Sequence, residues 1–263
     1  MLKTFLISGI TLLILISCAT SPLGRKQLIM MPASNMEAMG IQAFQNMKQK
    51  TPREANSSAN NRYVSCIANP ILQVSNSPKQ WEIVVFRDDS ANAFALPGGK
   101  IGVHTGLLKI ATNQHQLAAV IGHEIAHVLA RHSNERASQQ FLLQTGIVLA
   151  HALSKPRSKK AKMWMAVLGV GAQLGILLPY SRLHESEADE MGLYLMAKAG
   201  FDPRESVKLW QNMGRANGKQ GPEFLSTHPS HHSRITRLKR AMGRAMAFYR
   251  QATAKGKNPN CRL

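Results

Sequence analysis

The pentapeptide His123-Glu124-Ile125-Ala126-His127 constrains this chain more than any other feature in it. It falls within Asn113 to Arg136, where Leu117, Val120, Ile121, Ile125 and Val128 recur at helical spacing, so an amphipathic helix is predicted there. Residues four apart on a helix share a face one turn apart, which lets both imidazoles close on one metal ion. Glu124 sits beside them. A carboxylate in that place can take a proton from a water attacking a peptide carbonyl and hand it to the leaving amine.

A catalytic zinc takes three protein ligands and keeps a further position open. The segment His184 to Lys198, also helical in pattern, supplies candidates in Glu185-Ser186-Glu187-Ala188-Asp189. Glu185 is the expected third ligand, and Asp189, one turn later, the acceptor that orients a ligand histidine. Glu187 lies about 200° round the helix from Glu185 and is expected to face away. The cofactor expected from this set is Zn²⁺, one per chain.

Together, His123-Glu-Ile-Ala-His127 and Ser181-Arg-Leu-His-Glu185-Ser-Glu-Ala-Asp189 resemble the gluzincin metallopeptidases related to HtpX, BepA, LoiP and the CAAX prenyl endopeptidases. The likeness runs from about Gly24 to Arg240 and implies a zincin-like fold and peptide-bond hydrolysis. It also implies that Asn92-Ala93-Phe94-Ala95 forms an edge strand that holds substrate backbone by β-addition. It gives meaning to Thr227-His228-Pro229 and to Arg234. His228 becomes a candidate catalytic group beside Glu124, either a displaceable fourth ligand or a donor to the oxyanion, and Arg234 either anchors that loop or meets the oxyanion. Metzincins, a rival class, place a third histidine six residues after the second with a glycine between. Here His132 follows at five and position 130 is Ala, so His132 is expected at the surface or at a helix end, and His104, His231 and His232 as surface or structural residues.

The expected fold is α+β, mainly helical, with a small sheet. Met36 to Gln49 and Arg62 to Val74 read as helices. Trp81 to Arg87, Asn92 to Leu96 and Lys100 to His104 read as strands, the last two joined at Pro97-Gly98-Gly99. Further helices are expected at Ser138 to Leu153, Ala161 to Leu178, His184 to Lys198, Pro203 to Ala216 and Ser230 to Thr253. Met163 to Tyr180 is apolar but broken by Gly169, Gly171, Gln173 and Gly175, and reads either as a buried or cleft-covering helix or as a segment that dips into a membrane. Lys50 to Asn61 reads as an unstructured link.

Lys3 followed by the apolar run Phe5 to Ile16 has the layout of a secretory signal, too short to span a bilayer. Its ending, Leu15-Ile16-Ser17-Cys18, resembles a bacterial lipobox, with Cys18 as the lipidated residue; the alternative is an ordinary signal cut near Ala19. Residues 1–17 are then a signal peptide, 18–61 a lipid-anchored segment with one helix and a linker, and 62–263 a metallopeptidase catalytic domain. The expected location is the periplasmic side of a bacterial cell envelope, with the absence of Asp after the cysteine favouring the outer membrane. Cys66 and Cys261 either pair there or stay as separate thiols.

The chain carries 33 Lys and Arg against 14 Asp and Glu, a formal net charge of +19. Export directs that charge toward anionic lipid or lipopolysaccharide rather than nucleic acid. Lys155, Arg157, Lys159, Lys160 and Lys162 form its densest cluster. The function expected is zinc-dependent cleavage of misfolded or unassembled envelope proteins. A zinc-binding chaperone or assembly factor that holds such proteins without cutting them is the alternative.

Overall fold

A computed structural model describes residues 18–77, 80–154, 181–215, 223–228 and 231–263. The side chains of 147–154, 223, 227 and 231–233 lie outside that description, as do Ala161 to Leu178, Met163 to Tyr180 and the lysine-rich cluster.

The chain opens with a hairpin, β1 (Cys18–Thr20) antiparallel to β2 (Lys26–Leu28). Helices α1 (Ala33–Lys50) and α2 (Ala59–Val74) follow. The Ser58 side chain caps α2 by accepting from the Asn61 N–H. The expected free link between the two helices is instead pinned to the sheet. The Glu54 N–H donates to the Val85 carbonyl at 2.9 Å and the Arg87 N–H to the Pro52 carbonyl at 2.8 Å. Turn-rich composition signalled a break in helix but not that the backbone would satisfy its polar groups on a strand edge.

Three strands form the main sheet: β3 (Glu82–Phe86), β4 (Ala93–Leu96) and β5 (Lys100–His104). Central β5 runs parallel to β3 and antiparallel to β4, with Ala93 opposite Val103 and Leu96 opposite Lys100. β4 is therefore an edge strand.

After α3 (Thr105–Ile110) comes α4 (Gln114–Leu129), capped by Asn113, whose side chain accepts from the His115 and Gln116 N–H groups. The sequence predicts one helix as far as Arg136. Arg131, with φ of 54°, breaks it, and α5 (His132–Ser154) starts in a new direction. Then come α6 (Arg182–Lys198), α7 (Glu205–Arg215), the short α8 (Glu223–Thr227) and α9 (His231–Ala254). The core gathers between α2, the sheet, α4 and α6, around Ile67, Ile101, Leu117, Ile121, Ile125 and Met196, all fully buried.

Helices α4 and α6 cross with their backbones touching. A Cβ on Gly122 would meet the Gly192 carbonyl oxygen at 2.8 Å, and one on Gly192 would meet the His123 nitrogen at 2.6 Å. Only glycines permit this approach, and it sets the start of α6 opposite the histidine face of α4. Cys66 and Cys261 form a disulfide joining α2 to the C-terminal tail. Among the described residues no helix is long and apolar enough to cross a membrane.

Candidate metal centre

Four buried side chains from three parts of the chain bring donor atoms together: His123 and His127 from α4, Glu185 from the first turn of α6, and His228 just beyond α8. His123 Nε2 is 3.0 Å from His127 Nε2 and 3.2 Å from His228 Nδ1. Glu185 Oε1 is 2.8 Å from His228 Nδ1 and 3.3 Å from His127 Nε2. Tetrahedral ligands at zinc bond lengths lie about 3.3 Å apart. Those separations, the buried mix of imidazole and carboxylate, and the convergence of lone pairs that would otherwise repel fit a zinc-sized ion.

The electrostatics follow from burial. His127 is held well below its ordinary range, chiefly by desolvation, which keeps the imidazole neutral as a ligand must be. Burial acts on His123 in the same sense, but Glu185 and Asp189 outweigh it and lift the ring to about 9. For Glu185, burial favours the protonated acid, yet the charges and hydrogen bonds of His123, His127 and His228 hold it far below the carboxylate range.

The supports of these ligands are equally buried. Asp189 Oδ1 lies 3.0 Å from His123 Nδ1, though the ring N–H is not aimed squarely at it. Arg234, fully buried, donates through Nε to Asp189 Oδ2 at 2.7 Å and through its terminal nitrogen to Glu185 Oε2. Its guanidinium lies 3.9 Å from the centre of the Trp210 ring. A weaker contact at 3.5 Å reaches the His228 carbonyl, so Arg234 ties the Glu185 carboxylate to the His228 loop. Phe224 stacks on the His228 ring at 4.3 Å, and its N–H donates to the Ala91 carbonyl, fastening the same loop to the chain leading into β4.

Glu124 points toward β4. The Ala95 N–H donates to its Oε2 at 3.2 Å, while the buried Oε1 has no hydrogen-bond partner and stands 3.5 Å from His228 Nε2. Burial raises the Glu124 carboxyl, partly offset by the charges of His228 and His123. Asn92 leads into the strand, which Ala93 begins, and the Asn92 carbonyl accepts from the His104 N–H at 3.0 Å. The Phe94 ring turns to the opposite face, over Gly102 and against Phe86 and Phe44. Of the four expected substrate-strand residues, Ala95 is the one joined to the centre.

His132 stands at a helix end, one of its two expected places, as the first residue of α5, but not at the surface: it is fully buried, with Nδ1 2.9 Å from His127 Nδ1 and Nε2 3.1 Å from Glu187 Oε2. The break at Arg131 turns His132 back beneath His127, which a continuous helix would not do. Glu187 points away from the donor cluster, as expected, and into a second buried network. There it accepts from Arg25 Nε at 2.7 Å; Arg25 also pairs with Glu135, and Glu135 with His184. Sequence reasoning missed Arg25, Glu135 and His184. Four charged or imidazole groups on buried helix faces, met by an arginine from a hairpin turn, are a signal available only once those faces are known. His104 is structural, its Nδ1 2.8 Å from Ser90 Oγ. The His231 and His232 side chains lie outside the description.

The family model for peptidase family M48 matches residues 58–242. Among curated proteins, the mitochondrial metalloendopeptidase OMA1 of Schizosaccharomyces pombe is 41% identical over 179 residues, 67% of this chain and 51% of that protein. The OMA1 metalloendopeptidase of Bos taurus is 40% identical over 173 residues, 63% of this chain and 33% of that protein. The beta-barrel assembly-enhancing protease of Yersinia pestis is 28% identical over 182 residues, 66% of this chain and 37% of that protein. The matched part of the chain thus spans half the length of the first of these relatives and about a third of the other two.

Proposed function

We propose, from the premise that this chain belongs to peptidase family M48, that it is a zinc-dependent endopeptidase acting on misfolded or unassembled proteins of a bacterial cell envelope. The observation that carries the reading is the meeting of the buried His123, His127, Glu185 and His228 donors with Glu124 directly under an edge strand.

In this reading His123, His127 and Glu185 hold the zinc, Asp189 orients His123, and His228 is a fourth donor that withdraws when substrate arrives. When bound, zinc supplies Lewis acidity to the carbonyl and to the water that attacks it. The remaining steps belong to the protein. An extended peptide adds to β4 as a further strand, using main-chain groups that an edge leaves available. The Ala95 N–H fixes one oxygen of Glu124, so the other, unpartnered Oε1 faces the reacting atoms. It accepts the proton of the attacking water and returns it to the departing amine; the raised affinity of a buried carboxyl for protons suits both halves of that task. A released His228 lies within reach of the developing oxyanion. Arg234 holds the His228 loop and Glu185 rather than the substrate.

The envelope assignment rests on the signal-like N-terminus with its lipobox-like end at Cys18 and on the Cys66–Cys261 disulfide, which suits an oxidising compartment. The name of the Yersinia relative, a beta-barrel assembly-enhancing protease, supports β-barrel proteins under assembly as the substrate class. A lipid on Cys18 and the strongly basic chain would hold the enzyme on a membrane surface. The test uses the mature lipid-free chain with an unfolded protein. Cleavage that stops with a chelator, returns with Zn²⁺ and is lost in Glu124→Gln supports the reading. Client binding that survives Glu124→Gln, with no cleavage by wild type, would move it to the chaperone alternative.

A further inference from the structure

His127 differs from His123 in what holds it. A histidine that ligates through Nε2 carries its proton on Nδ1 and needs an acceptor there, usually a carboxylate or a carbonyl. For His123 that place is taken by Asp189. For His127 it is taken by a second histidine, His132, whose Nδ1 lies 2.9 Å from His127 Nδ1. Only one arrangement of protons satisfies the row. His127 donates from Nδ1, so His132 must accept on Nδ1 and carry its own proton on Nε2, which faces Glu187 Oε2 at 3.1 Å.

Glu187 is not left to settle this alone. Arg25, in the turn between β1 and β2, donates to the same Oε2 at 2.7 Å and keeps the carboxylate charged and fixed. Burial would raise Glu187, but hydrogen bonds led by that from His132 bring it down to about 2. His184 stacks on the other side of His132, ring centres 4.5 Å apart and 26° between planes, and its Nε2 donates to Glu135 Oε2 at 3.0 Å. Glu135 in turn binds the Arg25 guanidinium through both oxygens. The N-terminal segment is itself stitched to this support: Gln27 Nε2 donates to the Ala130 carbonyl at 2.6 Å, and the Met30 N–H to Ser138 Oγ at 2.8 Å.

We infer that His132 and Glu187 are positioning residues for the metal ligand His127, a buried row that fixes its ring and tautomer, and that Arg25 of the N-terminal hairpin clamps the end of that row. The inference rests on the metallopeptidase reading and deepens it. It gives the hairpin next to Cys18 a part in holding the metal, and it accounts for the sharp turn at Arg131 that carries His132 back under His127.

The experiment measures the Zn²⁺ dissociation constant of the purified full chain by competition with a chromophoric chelator, and the visible spectrum of its Co²⁺ form. His132→Leu fills the space without an acceptor; His132→Gln offers a carbonyl oxygen; Glu187→Gln keeps the shape and removes the charge; His104→Leu is a buried-histidine control away from the row. Loss of such a support costs about 10–100-fold in metal affinity. The expected result is a weakening of that order in His132→Leu with an altered Co²⁺ spectrum, partial recovery in His132→Gln, a smaller loss in Glu187→Gln and none in His104→Leu. Wild-type affinity and spectrum in folded His132→Leu would overturn the inference, as would His132→Gln no better than leucine. Should His132→Leu not fold, wild-type affinity in Glu187→Gln overturns it. A wild type that takes up no Zn²⁺ overturns the metallopeptidase reading and this inference with it.

Discussion

Gly192 lies against the backbone of His123 so closely that a Cβ on it would stand 2.6 Å from the His123 nitrogen. That single approach sets how far Glu185 on α6 stands from the two histidines on α4. Three of the four candidate donors, His123, His127 and Glu185, are thus brought together by a helix crossing.

Substituting Gly192→Ala should therefore separate the helices by a few tenths of an ångström or more. Overpacking of this kind costs about 1–3 kcal/mol. Zinc affinity should fall as well, because Glu185 moves with α6. Thermal unfolding with and without Zn²⁺ checks both, and a variant as stable and as tightly metal-binding as wild type would contradict the crossing as the organising contact.

Arg234→Met should leave the buried Glu185 carboxylate without its guanidinium partner and Asp189 with only the more distant Arg237, at 3.8 Å. Removing one partner of a buried ion pair costs about 3–5 kcal/mol. The loss should be largest in the metal-free protein and smaller with Zn²⁺ bound, since the metal supplies positive charge to Glu185. Denaturant unfolding in chelator and in Zn²⁺ measures the difference; equal losses in both would show that Arg234 does not act through the ligand carboxylate.

Acid should weaken the Arg25–Glu135 pair in a defined direction. Burial pushes the Glu135 carboxyl up from its ordinary 4.5, but hydrogen bonds from Arg25 and His184 overcome it and depress it strongly. A depressed carboxylate stabilises the fold above the unfolded-state value and loses that contribution as pH falls toward the folded-state one. Glu135→Gln should therefore cost about 2 kcal/mol near pH 7 in the metal-free protein, with the gap to wild type closing below about pH 4. A gap that widens on acidification would contradict the assignment.

The chemistry was more legible than its support. The meeting of His123, Glu124, His127 and Glu185 was legible because a metal site on a helix would demand fixed spacings, and the strands around Pro97-Gly98-Gly99 because tight turns demand glycine. The burial of His132 was hidden because the amphipathic pattern continues across Ala130 and Arg131, and nothing in the local sequence signals the left-handed conformation of Arg131. Arg25 and Glu135 are far apart in sequence and meet only through the packing of the N-terminal hairpin on α5 and α6. The pinning of Pro52, Arg53 and Glu54 along β3 was hidden for the same reason, since backbone pairing leaves no trace in side-chain composition.

The most direct measurement is elemental analysis of the purified mature chain beside its Glu185→Ala variant, with casein cleavage followed in the same samples. About one zinc per chain in the wild type, lost or greatly weakened in the variant together with cleavage, is the predicted result for a three-ligand catalytic site. A wild type that holds no zinc, or a variant that keeps its zinc and its activity, would contradict the account.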